Sequence, residues 1–374
     1  CIVMLIKKKE IALLLIFLSL VVTNLFAENY YFKRYDKENG LSQQTVFCAV
    51  QDRRGFLWFG TKVGLNRFDG TKFKNYVADP EQPNSLPNNT VLALAEAPDG
   101  SLWLGTSDGL CIYNPEKDTF APFVSADLTI EGLIDNLVFD KQGNLWVINS
   151  KGIYCLDVKN GNHKFFAASD FFVPTGITVT QSGSVWVLGL DGNIYLFNPQ
   201  RMEFSSYPIL TKEEKTKHIL LYRILECSNG DLVVTTDRIG ARRFSPNNGE
   251  VKVLFSNDSQ NNPIYIHTAI QRNKDEFWFG TESGIHIYQL DLGFIDHLQK
   301  SYNDAYSLSD NAVHMLLKDR EEGIWVGTFF GGVNYLSSNN TLFDKYLPKD
   351  EKGSIKANVI REIHPDVEGN LWVG

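Results

Sequence analysis

The seven histidines are the residues best suited to bind a metal ion, but their spacing forms no zinc motif. No two of them are separated by two or four residues, the separations that place two imidazoles on one face of a strand or helix. The chain also lacks a Gly-x-Ser-x-Gly nucleophile motif and a phosphate-binding Gly-x-x-x-x-Gly-Lys motif. We therefore expect no metal site, no cofactor and no catalytic residue here. The histidines are His163, His218, His267, His286, His297, His314 and His364.

The cysteines after residue 27 are separated by 63, 44 and 72 residues. These separations match neither a zinc knuckle nor a Cys-x-x-Cys redox pair. We therefore interpret Cys48, Cys111, Cys155 and Cys227 as isolated small hydrophobic residues of a core. The sequence assigns no disulfide among them.

Recurring aspartates are the next candidates, because two carboxylates catalyse glycoside hydrolysis in many enzymes. Asp52, Asp140, Asp319 and Asp366 each precede a tryptophan by six residues. A residue type that recurs at one position of a repeat is expected to make a turn, since a reaction needs its acid and its base only once. We predict that these aspartates form turns.

The tryptophans define the repeat that must position any site. They recur at intervals of 40 to 47 residues, apart from one interval of 92 residues in which Val233 takes the expected tryptophan position. This period, with short β segments, is typical of a β-propeller. A buried tryptophan removes ~200 Å² from water, and its recurrence in every blade is what packing requires, whereas a binding site needs such a residue only once. We therefore interpret the series as blade core and not as a sugar-binding surface. The series is Trp58, Trp103, Trp146, Trp186, Val233, Trp278, Trp325 and Trp372.

Each repeat contains four short strands, which make one antiparallel blade. Residues 31–35 have no blade of their own and are expected to complete the blade of Trp325, which would close the ring and cover an edge. The sequence therefore predicts an all-β fold, a seven-bladed β-propeller over residues 28–341 with its closing strand at about 31–35. An eight-bladed ring is the alternative. Residues 342–374 are expected to begin a second propeller, closed by residues 343–346, and the chain stops inside a repeat.

Residues that vary from blade to blade are the candidates for ligand binding. The turn after each tryptophan strand is expected on the same end of the propeller as the long joints between blades, and we name this end the joint face. An arginine with neighbouring aromatic residues there suits a sugar or an acidic sugar. The variable turn residues, which are also compatible with an ordinary solvated rim, are Lys62, Asp108, Lys151, Asp191, Arg238, Glu282, Phe329 and Phe330.

The N-terminus predicts export. Lys7, Lys8 and Lys9 precede an apolar run over residues 11–22, and Ala27 follows, which is typical of a secretory signal peptide over residues 1–27. An uncleaved anchor is the alternative, because Leu25 is larger than the residue preferred three positions before cleavage. The composition, 43% hydrophobic, excludes a disordered chain. A net charge of −8 without a basic cluster excludes a nucleic-acid partner for this region.

The repeat resembles the two-component regulator propeller family. The pattern Asp-x-x-Gly-x-Leu-Trp-Val-Gly-Thr-x-x-Gly-Leu is found at residues 52–65 and, with small departures, at 98–110 and 319–333. The joints at residues 84–91 and 306–313 also look like those of the family. Repeats three to five depart from the pattern, since Gly-Thr is missing after Trp146 and Trp186. The resemblance extends over about residues 30–374.

The resemblance implies a periplasmic sensor of a hybrid two-component system, in which glycan fragments are the usual ligands and a histidine kinase is encoded elsewhere in the protein. We therefore expect a signal-input domain without enzymatic activity of its own. Its partner would be an oligosaccharide or another small ligand, and the full-length protein would form a homodimer. Membrane contact would come only through the signal segment or parts absent from this chain. The alternatives are a secreted propeller enzyme, either a glycoside hydrolase or a lyase, and a purely structural scaffold.

Overall fold

The computed structural model describes residues 30–125, 127–169, 172–338, 348, 354–355 and 359–374. The predicted signal peptide and the predicted closing strand at residues 343–346 lie outside the described residues. Within the described residues, no helix is both long enough and apolar enough to cross a membrane.

Seven four-stranded antiparallel sheets form the blades of a β-propeller, as predicted. The first strands are β2 (Val46–Gln51), β6 (Val91–Glu96), β10 (Asn136–Phe139), β14 (Pro174–Val179), β18 (Leu221–Glu226), β22 (Ile266–Gln271) and β26 (Val313–Lys318). The second strands are β3 (Leu57–Thr61), β7 (Leu102–Thr106), β11 (Asn144–Asn149), β15 (Val185–Gly189), β19 (Leu232–Thr236), β23 (Glu276–Thr281) and β27 (Ile324–Thr328).

The outer half of each blade holds two further strands. The third strands are β4 (Gly64–Phe68), β8 (Gly109–Asn114), β12 (Gly152–Asp157), β16 (Asn193–Asn198), β20 (Ala241–Phe244), β24 (Gly284–Gln289) and β28 (Val333–Leu336). The fourth strands are β5 (Phe73–Tyr76), β9 (Thr119–Pro122), β13 (His163–Ala167), β17 (Glu203–Pro208), β21 (Val251–Phe255), β25 (Gly293–Leu298) and, in the seventh blade, β1 (Lys33–Tyr35). We number the blades one to seven from β2 onward.

The ring is closed by the two ends of the propeller sequence. Each first strand contacts the first strands of both neighbouring blades, and β26 contacts β2. In blade seven β1 pairs antiparallel with β28, with Lys33 opposite Tyr335 and Tyr35 opposite Val333. The Arg34 guanidinium also donates to the Ser307 carbonyl oxygen at 2.9 Å. Closure therefore covers the outer edge of β28, which would otherwise be unpaired.

The tryptophan series packs between blades. Every member from Trp58 to Trp325, with Val233, is at most 5% exposed. Trp372 departs from the prediction, since it is 68% exposed. It lies in a two-stranded hairpin formed by β29 (Ile363–Pro365) and β30 (Leu371–Val373), and among the described residues no third strand pairs with this hairpin. Burial of a blade tryptophan requires a neighbouring blade, which the hairpin alone does not supply.

The recurring aspartates make turns, as predicted, and they also bind the tryptophans. Asp52 Oδ1 accepts hydrogen bonds from the backbone N–H groups of Arg54 at 2.9 Å and Phe56 at 3.0 Å. Its Oδ2 accepts from Trp58 Nε1 at 2.9 Å. The same indole bond is formed by the pairs Trp146–Asp140, Trp325–Asp319 and Trp372–Asp366. One carboxylate therefore orders the turn and satisfies the indole N–H.

The Gly-Thr pair after the tryptophan is explained by close packing of adjacent blades. A Cβ atom on Gly105 would lie 2.4 Å from the backbone oxygen of Ile134 in the next blade, so only glycine fits. Thr106 Oγ1 donates to the Gly109 carbonyl oxygen at 2.9 Å and so stabilises the turn after the second strand. The four described cysteines are free thiols.

Candidate functional site

A β-bulge interrupts the beginning of six of the seven first strands. It lies between Val46 and Cys48 in β2, and the residue between them, Phe47, is left outside the ladder. The first strands line the central channel of a propeller, so these bulged residues lie at its mouth. Each stands eleven residues before the tryptophan position of its blade. The bulged residues are Phe47, Leu92, Thr175, Tyr222, His267 and His314, and Asp135 holds the equivalent sequence position in blade three.

The bulged residues of blades five, six and seven contact one another. The rings of Tyr222 and His267 are 5.5 Å apart between centroids and meet edge to face. The rings of His267 and His314 are stacked at 4.2 Å. His314 in turn contacts Phe329, with ring centroids 5.1 Å apart. Three consecutive blades therefore supply one continuous row of rings on one side of the channel mouth.

Glu282 joins this row through its carboxylate. Its Oε1 atom lies 2.6 Å from His267 Nε2 and 3.6 Å from His314 Nε2. Glu282 belongs to the turn between β23 and β24, and its side chain is 54% exposed, whereas those of His267 and His314 are 17% and 20% exposed. A solvent-facing carboxylate therefore covers two half-buried imidazoles.

The two imidazoles differ in their surroundings. Burial, together with the neighbouring His267, lowers the pKa of His314 from 6.5 to about 4, so this ring is neutral near neutral pH. The Nδ1 atom of His267 is buried and has no hydrogen-bond partner among the described residues. A buried polar atom of this kind is unusual in a folded protein and requires a specific explanation.

Arg223 extends the cluster toward the opposite side of the channel. Its Nε donates to the His267 carbonyl oxygen at 3.1 Å, and its Nη1 donates to Asn136 Oδ1 at 3.4 Å. Arg223 belongs to blade five and Asn136 to blade three, so the guanidinium connects two blades that are not adjacent. We name Tyr222, Arg223, His267, Glu282, His314 and Phe329 the axial cluster.

The turns that carry the predicted site residues lie at the same end of the propeller as the bulges. The Lys62 N–H donates to the Thr45 carbonyl oxygen at 3.1 Å, and the Phe329 N–H donates to the Ala312 carbonyl oxygen at 2.9 Å. Thr45 and Ala312 immediately precede a first strand. The joint face therefore carries both the variable turns and the channel mouth.

Three of the eight predicted residues lie in the axial cluster or against it. Glu282 and Phe329 are members, and the Phe330 ring contacts that of Phe329 with centroids 4.7 Å apart. Phe330 is 68% exposed, so its ring faces solvent beside the mouth.

Two more predicted residues, Asp108 and Lys151, border a separate open cleft of about 720 Å³ between blades two and three. Phe123, Val124 and Leu128 supply its apolar wall, and the Lys151 ammonium is 3.8 Å from the carboxylate of Glu131. The cleft therefore offers an apolar wall beside two opposite charges, but its charged groups do not contact the axial cluster in the described structure.

The remaining three predicted residues are engaged locally or exposed. Asp191 accepts a hydrogen bond from the Tyr195 hydroxyl at 2.7 Å. Arg238 pairs with Asp237 at 3.0 Å and donates to the His218 carbonyl oxygen at 2.7 Å. Lys62 is exposed on its turn. We therefore place the candidate site at the axial cluster.

Comparison with known proteins finds a family match in three segments of the chain. Residues 40–62, 85–108 and 307–330 match the two component regulator propeller family. These three segments are two-component regulator propeller repeats. The three matched segments fall in blades one, two and seven, where the Gly-Thr pair follows the tryptophan.

Solved structures and a curated relative also show similarity to two-component signalling proteins. The extracellular domain of a hybrid two-component system of B. thetaiotaomicron is 25% identical, with a TM-score of 0.72, over 92% of this chain and 47% of that domain. A histidine kinase, P4, of Formosa agariphila is 49% identical over 53 residues, which are 14% of this chain and 4% of the kinase. This chain thus spans less than half the length of either relative.

An enzyme shares the propeller fold. Virginiamycin B lyase from Staphylococcus aureus is 12% identical, with a TM-score of 0.64, over 83% of this chain and 99% of the lyase. At this identity the likeness shows the fold alone.

Sequence reasoning on this propeller did not find Tyr222, Arg223, His267 and His314. The histidines were compared at the spacings of a single strand or helix, whereas His267 and His314 are 47 residues apart. Trp278 and the next tryptophan are separated by the same interval. Each histidine stands eleven residues before the tryptophan of its own blade. A comparison of residues at the same distance from each tryptophan could therefore have paired the two histidines.

Proposed function

We propose that this chain is the extracytoplasmic signal-input domain of a hybrid two-component signalling protein. In this proposal it recognises glycan fragments in the periplasm and passes the signal to a histidine kinase in another part of the protein, which is anchored in the inner membrane and acts as a homodimer. Similarity to the extracellular domain of such a system over 92% of this chain supports the proposal.

The observation that carries ligand recognition is the axial cluster on the joint face. Sugars present apolar C–H faces and polar hydroxyls, so their binding sites combine aromatic rings with a few hydrogen-bonding groups. Tyr222, Phe329 and Phe330 offer rings at the mouth, and Tyr222 is 37% exposed. Arg223 adds a fixed positive charge, which favours sugars with a carboxylate or sulfate.

Calorimetric titration of the purified chain with a panel of neutral and uronate-containing oligosaccharides tests this proposal. We expect one member of the panel to bind, and Phe330→Ala to weaken that binding about tenfold, because loss of one ring contact costs about 1.4 kcal/mol. Arg223→Gln is expected to weaken acidic sugars more than neutral ones. Tyr302→Ala is the matched control, since Tyr302 is 93% exposed and lies in the joint before β26.

Three results would each contradict part of this proposal. Binding that is unchanged by Phe330→Ala and Arg223→Gln would place the ligand elsewhere, with the cleft beside Asp108 as the next location to test. Binding of no sugar in the panel would remove the glycan assignment. Self-phosphorylation of the purified chain by ATP would overturn the assignment of the kinase to another part of the protein.

A second candidate, a secreted lyase or hydrolase acting on carbohydrate, is favoured by the contact between His267 and Glu282. An imidazole and a carboxylate 2.6 Å apart can hold and transfer a proton, as general acid–base catalysis requires. In a lyase such a pair would take the C5 proton of a uronate, the C5 electron pair would form the C4–C5 double bond as the C4–O bond breaks, and the departing oxygen would accept a proton from the pair or from water. Ultraviolet absorbance of the unsaturated product during incubation with uronate oligosaccharides would establish this function, and unchanged oligosaccharides would eliminate it.

A further inference from the structure

Three side chains of the axial cluster direct their ligand atoms toward one point. One ring nitrogen each of His267 and His314 and a carboxylate oxygen of Glu282 all lie within 4.8 Å of one another. The three residues come from β22, from the turn after β23 and from β26, and therefore from two adjacent blades. We propose that His267, Glu282 and His314 form a binding site for a divalent transition-metal ion of the zinc class.

The distances fit such an ion with small movements. Zinc binds histidine nitrogen at about 2.0–2.1 Å and carboxylate oxygen at about 2.0–2.2 Å, which places two ligands of a tetrahedral ion roughly 3.3 Å apart. The separation of 3.6 Å between His314 Nε2 and Glu282 Oε1 is close to this value. The contact of 2.6 Å between His267 Nε2 and Glu282 Oε1 would have to lengthen. Because Glu282 is exposed and belongs to a turn, a rotation of its side chain can supply this change.

The chemistry of the donors selects the class of metal. Two imidazoles and one carboxylate suit zinc and its neighbours in the first transition row, whereas magnesium and calcium prefer sites built from oxygen alone. Glu282 contributes a negative charge beside the imidazoles, and the Asp310 carboxylate also acts on His314. The Arg223 charge opposes a cation there, but its guanidinium points toward Asn136 and the His267 carbonyl.

The two ring nitrogens of His267 have different surroundings. Here Glu282 engages Nε2, and Nδ1 has no partner among the residues that the structure describes. The one ring nitrogen of His267 that has a partner, Nε2, is therefore the nitrogen available to a metal ion at the channel mouth. Three protein ligands leave a fourth position open, as in metal sites that bind an exchangeable ligand.

Titration with zinc chloride after dialysis against a chelator tests the site, with heat of binding and metal content as readouts. We expect one zinc ion per chain and no binding of magnesium or calcium in the same range. His267→Gln and His314→Gln are each expected to weaken zinc binding at least roughly 100-fold, because each removes a ligand. Glu282→Gln is expected to weaken it about tenfold, and because this side chain is exposed the variant should fold normally.

The matched control is His297→Gln. His297 stacks on His286 with ring centroids 3.8 Å apart, as His267 stacks on His314, but its Nε2 contacts the Ser283 carbonyl oxygen, and among the described residues no carboxylate forms an ion pair with either of these two rings. We expect this variant to bind zinc like the wild type. Absence of zinc binding by the wild type, equal loss in the His297 variant, or unchanged binding in the Glu282 variant would overturn the proposal. Binding of magnesium as tight as zinc would overturn the assigned class of metal.

Discussion

Replacement of Asp319 by alanine is expected to destabilise the propeller strongly. The Asp319 carboxylate is buried and accepts hydrogen bonds from Trp325 Nε1 at 2.8 Å and from the backbone N–H groups of Glu321 at 3.0 Å and Gly323 at 2.7 Å. Trp325 is 3% exposed and lies in the blade that the N-terminal strand closes. Asp319→Ala therefore removes three bonds to one charged acceptor and leaves a buried indole N–H without a partner.

The magnitude follows from those three bonds. A buried donor left without an acceptor costs about 1–3 kcal/mol, and a hydrogen bond to a charged group contributes about 1.5–3 kcal/mol. Glu321 is exposed, so water can replace the acceptor of its N–H and this loss costs less, whereas Gly323 is buried. We expect a decrease of about 4 kcal/mol in the free energy of unfolding. For a domain of about 300 residues this corresponds to a decrease of roughly 6 °C in Tm.

The chain contains a matched control in Asp366. Its carboxylate accepts from Trp372 Nε1 at 2.9 Å, from the Glu368 N–H at 2.9 Å and from the Asn370 N–H at 2.8 Å, but Trp372 is exposed and Asp366 is only half-buried. Asp366→Ala is expected to change the main unfolding transition by less than about 0.5 kcal/mol, because water replaces the lost acceptor.

Differential scanning calorimetry and urea unfolding of the two variants measure this difference. Asp319→Asn should fall between wild type and Asp319→Ala, because the amide oxygen can still accept the indole bond but carries no charge. Equal and small effects of Asp319→Ala and Asp366→Ala would refute the reasoning, since they would show that burial does not determine what the aspartate–tryptophan bond contributes.

Three further predictions concern pH, ring closure and blade packing. Burial lowers the pKa of His286 from 6.5 to about 4, so its stabilising effect is present above pH 6.5 and is lost as the pH falls toward 4. Its contribution between about pH 7.5 and 5 is about 2 kcal/mol, and urea unfolding should show that His286→Gln reduces the pH dependence by this amount. Arg34→Met removes the bonds to the Ser307 carbonyl oxygen and should lower the free energy of unfolding, measured with urea, by about 2 kcal/mol. An unchanged urea midpoint would contradict this role of Arg34 in ring closure. Gly105→Ala places a Cβ 2.4 Å from the Ile134 oxygen and should lower Tm by several degrees, whereas a wild-type Tm would show that the blades can separate.

The architecture could be predicted from the sequence because one physical requirement recurs in every blade. Each blade must bury an apolar side chain against the next. The tryptophan that recurs every 40 to 47 residues, with Val233 in its place in one blade, meets this requirement. The aspartate six residues earlier and the Gly-Thr pair after the tryptophan follow from the same packing. The exposure of Trp372 was not predictable in this way, because the burial of a blade tryptophan depends on strands outside its own hairpin.

The axial cluster was harder to predict, because its bulged members, Tyr222, His267 and His314, share a position with residues of other chemical types in the remaining blades. Phe47, Leu92, Thr175, Tyr222 and His267 occupy equivalent bulges, yet their side chains have nothing in common that would reveal a period. Glu282 was found only because its turn varies between blades. That its carboxylate reaches two imidazoles depends on side-chain conformations that sequence spacing does not determine.

A ring of seven equivalent blades must break its symmetry to bind an asymmetric ligand, and the bulge position is where this chain does so. Blades one and two place Phe47 and Leu92 at the mouth, whereas blades six and seven place His267 and His314 there. The mouth thus has a polar side and an apolar side that meet between blades seven and one, although every blade keeps the same inter-blade packing. Because the bulged residues lie outside the ladder, their chemistry can change without loss of the bonds that hold the ring. Recognition and stability therefore depend on separate positions, which is why the repeated residues predict the fold and only the unrepeated ones can specify the ligand.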